Sequence, residues 1–82
     1  MPRRQNPLEA FPRRLRMAMA ARDMNSADLM RATYQGQGQI SNYLNGHQEP
    51  RAMRLRELCE ALNVSADFLL GLSDDMKIHK RR

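Results

Sequence analysis

The chain has 82 residues, a formal net charge of +5 and a single cysteine. That length makes one domain near the lower size limit for an unaided core, and the lone cysteine excludes an internal disulfide. No apolar run approaches the length that crosses a bilayer and no signal-peptide pattern opens the chain, so a cytoplasmic protein is expected.

The charge is unevenly distributed. Residues 1–22 hold six Arg against one Glu, residues 23–75 hold four Arg against eight acids, and residues 76–82 hold four basic residues and no acid. Basic ends around an acidic middle suit either solubility or arms that find nucleic-acid phosphates.

Residues 1–7 carry two prolines and two arginines without periodicity and read as a flexible basic arm. A first helix is expected from about Leu8 to Arg22, with Leu8, Phe11, Leu15, Ala18 and Met19 as its buried stripe. Pro12 fits the first turn of a helix, which puts the ordered start near Phe11. Arg13, Arg14, Arg16 and Arg22 fall largely off the stripe.

Asn25 is a helix-capping residue, and Asp28 three positions on completes an N-x-x-D form of the capping box. Met24 and Leu29 are spaced as a hydrophobic staple, so a second helix is expected from Ser26 to Thr33. Gly36 and Gly38 interrupt the pattern. An apolar seam resumes at Ile40, Tyr43 and Leu44 and stops at Asn45-Gly46, giving a third helix from Gln37 to Asn45. Off that seam stand Gln37, Gln39, Ser41 and Asn42, all uncharged. A solvated face usually carries Lys and Glu, whereas amides both donate and accept toward base edges in a major groove.

After a loop over 47–49, Pro50 opens a fourth helix in which Ala52, Leu55, Leu58, Cys59 and Leu62 recur at helical spacing. Cys59 within that stripe reads as a small buried hydrophobe. Asn63 suits a left-handed helix end, Val64 plugs the core, and Ser65 caps a last helix from Ala66 to Leu70 that stops at Gly71. Phe68, Leu69 and Leu70 suit core closure and self-association equally. The polar tail, 73–82, is expected to fray. His47 and His79 lack neighbours at metal-ligand spacing, and nothing argues for catalysis, a cofactor or a small-molecule ligand.

The eleven-residue step from Leu29 to Ile40, the run ISNYLNG at 40–46, Pro50, and the run RELCEALNVSADFLLG at 56–71 together resemble the phage-repressor-like (Cro and C1 type) helix-turn-helix domains. The resemblance covers residues 11–71. It implies an all-α fold, a compact five-helix bundle of the lambda-repressor-like DNA-binding type, with the helix-turn-helix at its second and third helices. The domain would span 8–72, between the arm at 1–7 and the tail at 73–82. Relatives often carry Arg at the position of Met19 and Glu at that of Leu44 as a partly buried ion pair. Apolar residues at both are a coherent repacking, because replacing only one partner would strand a charge.

The resemblance also implies a double-stranded DNA operator as partner, bound by a homodimer. Its base-contact positions map onto Gln37, Gly38, Gln39, Ser41 and Asn42. Phosphates would be met by Asn25 and Ser26 at the start of the second helix, by Asn45, Gly46 and His47, and by Arg3 and Arg4 of the arm. Gly38 stands where relatives usually have a polar side chain, while Tyr34 and Gln35 replace a typical Gly and an apolar residue in the turn. The leading reading is a transcriptional regulator of the repressor type. A protein-interaction module on the same scaffold, such as an antitoxin or antirepressor, is the alternative, supported by Gly38 and the acidic middle segment.

Overall fold

The computed structural model describes residues 7–78 of the chain. Among them run five helices, α1 Pro7–Ala21, α2 Ser26–Ala32, α3 Gln37–Leu44, α4 Ala52–Leu62 and α5 Ala66–Leu69, with no strand. The all-α, five-helix expectation holds. Phe11, Leu15, Ala18 and Met19 of α1, Leu29 of α2, Ile40 and Tyr43 of α3, Leu58, Cys59 and Leu62 of α4, and Val64, Phe68 and Leu69 form one core. α3 packs on α1 and α2, while α5 closes the base against α1 and α4.

Two helix starts differ from the sequence reading. α1 begins at Pro7, so Pro12 lies in its second turn and not its first. Only one backbone bond is forfeited there, the one the Leu8 carbonyl would have accepted, and burial of Ala10 and Phe11 before it and Leu15 after it holds it in the helix. Pro50 precedes α4 by two residues, and the N-cap is Arg51.

Four helix ends close in the same way. Asp23 (φ 55°), Gly46 (φ 73°), Asn63 (φ 53°) and Gly71 (φ 81°) are left-handed. The next residue in each case donates its N–H five residues back: Met24 to Met19, His47 to Asn42, Val64 to Cys59, and Leu72 to Asp67. This satisfies carbonyls that a helix end leaves open. α2 is the exception, since its C-cap Thr33 is extended (φ −125°, ψ 174°).

The arginines of α1 do more than face solvent. Arg14 keeps only 11% of its side-chain surface, stands 4.6 Å over the Phe68 ring, and binds the Ser73 carbonyl (3.2 Å) and the Asp74 carboxylate (2.7 Å). Arg22 donates from Nε to Leu62 O (2.8 Å) and from Nη2 to Asn63 O (3.0 Å), capping α4 from outside. Arg14 also corrects the expectation of a frayed tail: 73–76 fold back, with the Ser65 N–H donating to Met76 O (2.8 Å) and Met76 packing on the core.

Candidate nucleic-acid interface

Ile40 and Tyr43 anchor α3 in the core, and the helical turn then sends Gln37, Gly38, Ser41, Asn42 and Asn45 outward as one exposed face without a charged side chain. Asn45 Nδ2 donates to Ser41 Oγ (3.3 Å), and Asn42 Nδ2 donates to Gln48 Oε1 (3.4 Å), so part of the face is already oriented. Gln39 is set apart from it. It is half-buried at the margin, on the Tyr43 side of the helix. A Cβ built on Gly38 meets nothing within 4 Å, so no packing inside the protein requires glycine there.

Ser26 at the start of α2 joins Gln37, Ser41 and Asn45 around one open groove, whose floor is Met19, Met24 and Leu44 and whose rim includes Arg16. Arg16 was not among the candidates read from the sequence. Its Nη2 donates to the Leu44 carbonyl at 2.7 Å, which brings a cation to the end of α3. Met19 and Leu44 do share this groove floor, and both pack on the core.

The start of α2 is capped by its own carboxylate. Asn25 Oδ1 accepts from the Asp28 N–H (2.8 Å), and Asp28 Oδ2 accepts from the Asn25 N–H (3.0 Å). That backbone hydrogen bond, with Arg31 at 2.9 Å, holds the Asp28 carboxyl below the usual carboxylate range. The Asn25 backbone donor is thus engaged, and Ser26 is the residue of this pair that lines the groove. Gly46 and His47 are exposed after α3. Arg3, Arg4 and His79 lie outside the described residues.

The turn between α2 and α3 holds polar residues that spacing alone did not mark as a unit. Gln35 is only 2% exposed, and Thr33 and Tyr43 are buried with it. The Tyr43 hydroxyl donates to Gln35 Oε1 (2.7 Å), Gln35 Nε2 donates to the Arg54 carbonyl (3.2 Å), and Thr33 Oγ1 donates to Leu29 O (2.9 Å) while accepting from the Gln35 N–H (3.3 Å). Burial pushes the Tyr43 phenol above its ordinary pKa.

Among the described residues, no cluster of three metal-ligating side chains occurs and no helix is long and apolar enough to cross a membrane. A search of curated proteins and a search of solved structures each return no significant match. A family model, the Cro/C1-type HTH DNA-binding domain, matches residues 14–75, from α1 through α5 into the docked tail. With its helix-turn-helix at α2 and α3 and a match over most of its length, the chain belongs to the Cro/C1-type helix-turn-helix DNA-binding family.

Proposed function

We propose that this DNA-binding protein is a repressor-type transcriptional regulator that reads an operator through the major groove with α3. The observation that carries the reading is the exposed, uncharged face of Gln37, Ser41, Asn42 and Asn45. Its amides and hydroxyl suit base edges, and Gln37, first in the helix, projects farthest toward them. Ser26, the loop at 45–47 and Arg16 then serve phosphates at the rim, which set register and carry little sequence information.

A two-fold operator bound by a homodimer is part of the proposal. Leu70 is 40% exposed and Leu72 75% exposed at the end of α5, apolar surface that a second copy would cover. The protein is expected to act in the cytoplasm.

A second reading, an antitoxin-like module whose main partner is a protein, is favoured by Tyr34. Its side chain is 91% exposed and lines a shallow groove with Glu57 and Glu60, a surface suited to a basic partner. Selection of DNA from a random library, followed by binding measured against salt, separates the two. Enrichment of a palindromic sequence is expected, and no enriched sequence overturns the regulator reading.

A further inference from the structure

We infer that Gln35 is a positioning residue for DNA reading: its buried carboxamide ties α3 to the backbone of α4 and so decides which base pair Gln37 meets. The inference rests on the proposal that α3 is the reading helix. Ile40 buries the first turn of α3, but no side chain caps it. Its N-cap, Gly36, offers no side-chain cap, and a Cβ there would touch nothing within 4 Å. The preceding helix, α2, lacks the left-handed closure that ends the other four.

The carboxamide takes over that work by bridging two helices. Through Oε1 it accepts from Tyr43 on α3, and through Nε2 it donates to the Arg54 carbonyl on α4. Tyr43 in turn meets Phe11 of α1 edge-on, ring centroids 6.0 Å apart at 83°. Hydrogen bonds have narrow windows of distance and angle, so this network admits one seating of α3, whereas apolar contacts would tolerate sliding. One residue, Gly36, separates Gln35 from Gln37. A displacement of the turn therefore moves the start of the reading helix.

The test compares wild type with Gln35→Met, Tyr43→Phe and the double variant, using the DNA selected by the wild-type protein and random DNA of equal length. Gln35→Met strands the Tyr43 hydroxyl and lowers the melting temperature, and the double variant, with no hydroxyl to strand, regains stability. A purely structural role predicts that recognition returns with it. The positioning role predicts that the double variant melts near wild type yet keeps a ratio of selected-site to random-DNA affinity about tenfold lower, with random-DNA affinity unchanged. A double variant with the full wild-type ratio overturns the inference and leaves the DNA-reading proposal standing. A wild-type protein with no preferred sequence overturns both. Should Gln35→Met not fold, Tyr43→Phe takes its place, since it removes one arm of the bridge and leaves the carboxamide its bond to Arg54: a lowered affinity ratio with random-DNA affinity unchanged supports the inference, and the full wild-type ratio overturns it.

Discussion

Arg16 on α1 donates to the backbone carbonyl of Leu44 at the end of α3, at 2.7 Å, on the rim of the groove whose floor is shared by the Leu44 and Met19 side chains. α1 therefore grips the end of α3 twice, once by a charged hydrogen bond and once by apolar contact. Leu44 is half-buried, so a carboxylate at that position would keep part of its water. Leu44→Glu is expected to cost about 1–2 kcal/mol, less than a fully buried unpaired charge. Met19→Arg in the same chain should recover more than half of that loss. A thermal-melt double-mutant cycle without coupling would show that the two side chains do not face each other.

The exposed face of α3 separates recognition from stability. Gln37→Ala should weaken binding to the selected DNA by about 1–3 kcal/mol and relax the choice at one base pair per half-site, leaving random-DNA binding unchanged. Asn42, five residues further and about 140° around the axis, reaches at most the groove edge, so Asn42→Ala should cost less. Both side chains are exposed, and both variants should melt with the wild type. Retention of the full sequence preference by Gln37→Ala would sink the assignment of the reader.

Gly38 stands in open space on α3 at an ordinary helical φ, so alanine meets no obstacle there and reduces the backbone entropy lost on folding. Gly38→Ala is expected to stabilise the fold by about 0.5–1 kcal/mol. Calorimetry of the isolated protein checks this, and an unchanged or lower melting temperature would refute it.

Stability should be pH-sensitive at both extremes for different reasons. The Asp28 carboxyl is held low, so its contribution is present above the ordinary aspartate value of about 4 and is lost as pH falls through the lowered value. The Tyr43 phenol is held high by burial, so its contribution is present below about pH 10 and is lost as pH rises through the raised value. Asp28→Asn should flatten only the acid limb of melting temperature against pH, and Tyr43→Phe only the alkaline limb. An acid limb identical in wild type and Asp28→Asn would mean that the capping box does not depend on the ionised carboxylate.

The features legible in the sequence are those whose partners lie within a helical turn. The Asn25–Asp28 capping box, the Ser65 cap on Phe68 N–H and the left-handed Asn63 each depend on residues three to five positions away, so local chemistry was enough to find them. The same holds for the stripe that buries Ile40 and Tyr43, and hence for the uncharged face opposite, because helical periodicity alone assigns inside and outside. Tertiary structure decided what long polar side chains do. Arg14 finds its partners 59 and 60 residues away, Arg22 finds its own at 40 and 41, and Gln35 reaches Arg54 across 19. Periodicity marks arginine and glutamine as outward-facing. Only the folded chain brings backbone carbonyls and a carboxylate from other elements within reach of them, and so makes the burial of Arg14 and Gln35 favourable.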